Sequence, residues 1–89
     1  MGRQSLRPRT GMLFDFEEET RIRMWMKNTL ISLDMIFLDS DKNIVYIYQG
    51  AVPGSLEIIE TPRSARFTVE LNAGEVEDYG ISVGDRLLP

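Results

Sequence analysis

The chain has 89 residues, 43% of them hydrophobic and 27% charged, with 14 Asp and Glu against 10 Lys and Arg for a net charge of −4. A chain this short closes around one core and buries roughly 60–65% of its unfolded surface, so a single domain over 1–89 is expected and a second is excluded. This composition argues against disorder, no apolar run approaches the ~18–20 residues that cross a bilayer, and the acidic balance argues against nucleic acid, whose phosphates need a basic face.

The residue types that are absent narrow the chemistry further. There is no Cys and no His, which removes disulfides, thiolate and imidazole metal sites, cysteine nucleophiles and the serine triad. Any catalysis would rest on Asp, Glu, Lys, Arg, Tyr, Ser or Thr, and neither a metal nor a cofactor is expected. Arg3, Arg7 and Arg9 cluster in the polar opening segment and read as a solvated arm. That segment lacks the apolar stretch of a signal peptide.

In chain order, "GMLFDF" (11–16) reads as a short strand and "EEET" (17–20) as a charged loop whose neighbouring carboxylates repel one another. "RMWM" (23–26) is extended. "SLDMIFLD" (32–39) and "NIVYIYQ" (43–49), rich in branched and aromatic residues, flank "DSDK" as a hairpin. Both strands are apolar on both faces, which predicts a central place in a closed or sandwiched sheet. "AVPGS" (51–55) has the Pro-Gly pair of a type II turn, and "LEIIE" (56–60) is a shorter strand ended by Thr61-Pro62. In "ARFTVEL" (65–71), Ala65, Phe67, Val69 and Leu71 face one way, and Arg66, Thr68 and Glu70 the other. The period changes at "NAGEVEDYG" (72–80), predicting one helix near 73–79 with Asn72 as N-cap, Glu75 completing a capping box and Gly80 ending it. "ISVGDRLLP" (81–89) returns as a turn around Gly84-Asp85 with a short terminal strand. The sum is a mainly β domain, a small barrel-like or jelly-roll-like sandwich of six or so short strands with one helix at an end.

"GMLFDF", "WMKNTLISLDMIFLD", "ARFTVELNAG" and "GISVGDRL" together resemble the successive blocks of the domain-of-unknown-function 192 family, an uncharacterised family of small bacterial and archaeal proteins. The resemblance spans roughly residues 1 to 88, and Trp25-Met26-Lys27-Asn28-Thr29 is its most specific part. It implies a β-rich, jelly-roll-like fold and no settled activity, and many members carry an export signal, implying an envelope location for them. Two departures stand out. The chain opens at Met1-Gly2-Arg3, inside a stretch that members reach after an N-terminal strand, so an open sheet edge and a homodimer through it are expected. Ser32 stands where the family usually has Pro.

Several constellations read as structure. Asp39, Asp41 and Asn43 begin like a calcium loop, but Ile44 and Gly50 occupy the positions that need Gly and Glu, which leaves a hairpin turn. Glu17, Glu18 and Glu19 read as a solvated run, and Tyr46 and Tyr48 as core or rim aromatics. The stretch "MWMKNTLISLDMIF" (24–37) differs, because Lys27, Asn28, Thr29 and Asp34 interrupt a dense apolar run and buried polar groups need partners. Lys27 and Arg66 are the complements to Asp34 by type, and Arg66 shares its strand face with Glu70. One reading is a polar network that fixes strand register. The other is a ligand cleft formed by Trp25, Lys27, Asn28, Thr29, Asp34, Arg66 and Glu70. Three function classes follow: a non-enzymatic module binding a small anionic or sugar-like ligand or a partner peptide, which is favoured; an enzyme using Asp34 or Glu70 as acid or base, with Lys27 or Arg66 stabilising negative charge; and a purely structural or assembly protein.

Overall fold

The computed structural model describes residues 11–87, so the Arg3, Arg7 and Arg9 arm lies outside the described residues. The domain is mainly β, with strands β1 (Met12–Thr20), β2 (Arg23–Met24), β3 (Leu33–Leu38), β4 (Ile44–Ala51), β5 (Ile59–Glu60) and β6 (Ala65–Asn72), and one helix, α1 (Glu75–Tyr79). Four strands form an antiparallel sheet in the order β1-β6-β3-β4, and β2 pairs with β5 as a separate ribbon.

Every residue of β3 is buried, because both faces of the sheet are covered. Leu33, Met35 and Phe37 pack on one side with Ile22, Met24, Met26 and Ile59, so the ribbon and its approaches form a lid over this face. Ile36 and Leu38 pack on the other side with Ile44, Phe67, Leu71 and Val76, the last from α1. The two apolar faces inferred for β3 therefore belong to two separate core layers, each shielded by a different part of the chain.

Several boundaries differ from the sequence reading, for physical reasons. The run at Glu17–Glu19 is not a loop: β1 continues to Thr20 past an irregularity between Asp15 and Thr20, where Glu17 has φ 71°. Its charges are tolerated because these positions are exposed on an edge strand. β4 proves to be the other edge strand of the sheet. Its first residues are flanked by the closing segment, through Ile44 N–H to Asp85 O at 2.8 Å, Gly84 N–H to Ile44 O at 2.9 Å and an Asn43–Arg86 bridge. Asn72 ends β6 and is not the helix cap; Gly74 holds that position in the left-handed region. Gly80 ends the helix in the left-handed region, as its position predicts.

The alternation of β6 holds from Phe67 to Leu71, whereas Ala65 packs in the ribbon-side core and not with Phe67 and Leu71, and the polar face of the strand is not wet. Thr68 and Glu70 are buried, since they sit across from Phe37 and Met35 on the face that the ribbon covers. The β3–β4 connection is a tight turn organised by Asp39, whose Oδ1 accepts from the Asp41 and Asn43 N–H groups at 3.0 and 2.9 Å. Burial alone would raise the Asp39 carboxyl. The bonds from Asn43 and Asp41 outweigh it and hold the group below its ordinary value.

Candidate functional site

The stretch at 24–37 divides in two. Its first half alternates cleanly, with Ile22, Met24 and Met26 buried and Arg23, Trp25 and Lys27 exposed. The chain then turns: Thr29 N–H donates to Met26 O at 3.0 Å, with Asn28 at φ 62°. A positive φ at the third residue alone is the type II geometry, and Asn tolerates it better than most side chains. A second type II turn, Val52-Pro53-Gly54-Ser55, docks on the first. Gly54 N–H is shared between Met26 O and Thr29 O, each at 3.0 Å, and Met26 N–H donates to Ser55 O at 3.2 Å. Lys27, Asn28 and Thr29 thus belong to one of two interlocked turns, with the Thr29 side chain buried and those of Lys27 and Asn28 outside.

The outer face of the ribbon carries the site. Trp25 is 41% exposed, and the Lys27 ammonium lies 5.3 Å from its ring centroid. Arg23, Met24, Trp25 and Ile58 line an open depression on this face. A cation held over an indole beside an apolar rim can take an anionic group on the cation and a flat or apolar body on the ring. Arg23 and Ile58 were not singled out by sequence reasoning. The β2–β5 register, which pairs Met24 with Ile59 and so sets Ile58 beside Trp25, was the missing signal.

Asp34 is used differently. Its Oδ1 accepts from Gly50 N–H at 2.9 Å, and its Oδ2 from Gly74 N–H at 3.0 Å and Val76 N–H at 3.1 Å. One buried carboxylate therefore ties β3 to β4 and satisfies two of the free N–H groups at the start of α1, where negative charge is also favoured. The expected pairing of Asp34 with Lys27 or Arg66 is corrected. Arg66 instead clamps Asp15 with two bonds, Nε at 2.9 Å and Nη2 at 3.1 Å. This pair lies at the Leu38 end of the sheet, six residues along β6 from Asn72 and so roughly 20 Å away at ~3.3 Å per residue. The Arg66 bonds, followed by the Glu17 N–H, hold the Asp15 carboxyl below its ordinary value. Glu70 is 1% exposed beneath the ribbon.

The seven residues named from the sequence therefore do not converge. Trp25, Lys27, Asn28 and Thr29 share the turn region, Asp34 serves the helix side of the sheet, Glu70 is interior, and Arg66 belongs to the opposite end. Among the described residues, no group of three or more Asp or Glu could hold a metal ion. On the helix side, a largely apolar groove of ≈ 250 Å³ runs among Ile36, Leu38, Val69, Tyr79, Ile81 and Leu87.

The model of DUF192, described as an uncharacterized ACR, matches residues 1–88. The chain belongs to the DUF192 family. Two crystal structures are similar to this DUF192 domain. One is a protein of Sinorhizobium meliloti 1021, provisionally named a transcription regulator, with 48% identity, a TM-score of 0.92, and coverage of 97% of this chain and 67% of that one. The other is a protein of unknown function from Novosphingobium aromaticivorans DSM 12444, with 31% identity, a TM-score of 0.90, and coverage of 97% of this chain and 61% of that one. The domain thus spans about two thirds of these relatives' length. No curated protein matches it.

Proposed function

We propose that this DUF192 domain is a non-enzymatic binding module whose contact surface is the Trp25 face of the ribbon, engaging an anionic, sugar-like ligand. The observation that carries this reading is the Lys27 ammonium poised 5.3 Å over the half-exposed Trp25 ring. It joins a charge and a stacking platform on a surface whose backbone is fixed by two interlocked turns. The acid–base alternative has less support: both Asp34 oxygens accept backbone N–H groups, and Glu70 is enclosed. The S. meliloti relative is provisionally named a transcription regulator, but a net charge of −4 argues against nucleic acid as the partner of this domain.

The chain has a single tryptophan, so its fluorescence reports on Trp25 alone. Titration with a uronic-acid oligosaccharide is expected to give a saturable change, weaker with a neutral oligosaccharide of the same length and lost in Lys27→Gln. Absence of a saturable response to either sugar would refute the ligand class.

A further inference from the structure

Beyond Trp25, the same end of the molecule exposes apolar side chains without an evident structural use. Leu30 is 66% exposed, Val52 65% and Leu56 66%, all on or beside the two interlocked turns, with Ile58 at 48% alongside Trp25. Bonds among Met26, Thr29, Gly54 and Ser55 fix the two turns, and with them the place on the surface where Leu30, Val52 and Leu56 stand. A rigid cluster of exposed apolar residues rimmed by charge marks a contact surface.

The charge pattern favours one occupant. Arg23 and Lys27 are exposed beside the apolar tips. Of the acids on the same layer, Glu60 is bridged to Arg21 at 3.8 Å, leaving Glu57. The acidic run Glu17–Glu19 and the Asp39 turn lie at the other end of the sheet, tied together by the Ser40 N–H to Glu19 Oε2 bond at 2.9 Å. On the ribbon layer, an anionic planar surface would therefore be attracted at the turn end and repelled at the far end, while the exposed helix acids Glu77 and Asp78 belong to the opposite layer, where Val76 packs. The depression at Trp25 is open and shallow, unlike the groove that seats a helix or an extended peptide. Trp with neighbouring Lys or Arg and protruding aliphatic residues is the combination that favours the lipid headgroup boundary.

We infer that the paired-turn end docks on an anionic lipid surface, with Leu30, Val52 and Leu56 entering the headgroup layer, Trp25 at its boundary and Arg23 and Lys27 on the phosphates. This rests on the reading of Trp25 as a contact residue and adds the membrane as its setting.

The full chain is mixed with vesicles of phosphatidylglycerol and phosphatidylcholine in equal parts, or of phosphatidylcholine alone, and followed by co-sedimentation and by Trp25 emission. The expected result is binding and a blue shift with the anionic vesicles only, weakened by salt. Lys27→Gln should weaken it roughly fivefold, as for the loss of one surface charge. Leu56→Glu should weaken it by about tenfold or more, and circular dichroism should show it folded, since Leu56 is exposed. Leu30→Glu supplies an independent second variant. Equal binding to neutral vesicles, no blue shift, or unchanged binding by both glutamate variants would overturn the inference. So would a concentration-dependent dimer dissolved by Leu56→Glu, which would assign the patch to a second copy. If vesicles fail while the soluble uronate still titrates Trp25, the membrane setting falls and the ligand reading stands.

Discussion

Lys27 and Asp34 are seven positions apart in one apolar run, and the fold treats them in opposite ways. Asp34 points to the helix side, where its carboxylate receives three backbone N–H groups from β4 and the start of α1. Lys27 points outward from the ribbon side and touches an aromatic face. The difference teaches that a polar residue in an apolar strand is assigned by what the other elements bring to it. Gly50, Gly74 and Val76 arrive with unsatisfied donors on one side. On the other, the turn from Val52 to Ser55 bonds to the backbone of Met26 and Thr29 and leaves the Lys27 and Asn28 side chains exposed.

The strongest way to break this comparison is to remove the Asp34 carboxylate. Asp34→Ala strands three N–H groups and should cost about 3–5 kcal/mol in denaturant unfolding, since each bond to a charged acceptor contributes and the orphaned donors cost more. A loss below about 1 kcal/mol would show that Asp34 is not the joint between β3, β4 and α1. Gly54→Ala tests the turn side. The position has φ +72° with open space where a Cβ would stand, so backbone strain alone should destabilise by roughly 1–2 kcal/mol. A neutral result would mean the turn relaxes and the two turns are not rigidly interlocked. The smallest effect belongs to Lys27→Ala, expected within about 0.5 kcal/mol by thermal unfolding. A large destabilisation there would move Lys27 from the contact surface into the structural frame.

Much of the fold was legible because local patterns carry it. The β3–β4 hairpin, the Pro53-Gly54 turn, the alternation of β6 and the Gly80 helix end all follow from spacing and backbone preference within a few residues. The helix start was misread for an instructive reason. Asn72 and Glu75 have the spacing of a capping box, but Asn72 is held in β6 opposite Leu33, and the two N–H groups at Gly74 and Val76 are met by Asp34, about forty residues earlier. A local motif predicts a cap only when no distant carboxylate reaches the site.

The sequence by itself determined that the fold is mainly β, that it has no Cys or His to supply thiol or imidazole chemistry, and that the polar groups in 24–37 needed an explanation. These depend on composition and on period, which are properties of neighbours along the chain. Tertiary structure decided the rest. Thr68 and Glu70 alternate as a wet face would, yet they are enclosed because the ribbon folds over them. Arg66 pairs with Asp15 because β1 lies beside β6. Trp25 becomes a platform because the pairing of β2 with β5 brings the exposed Ile58 to the same surface depression. Which face of a strand meets solvent is set by what packs on it, and hydrophobic burial is a property of the assembled layers.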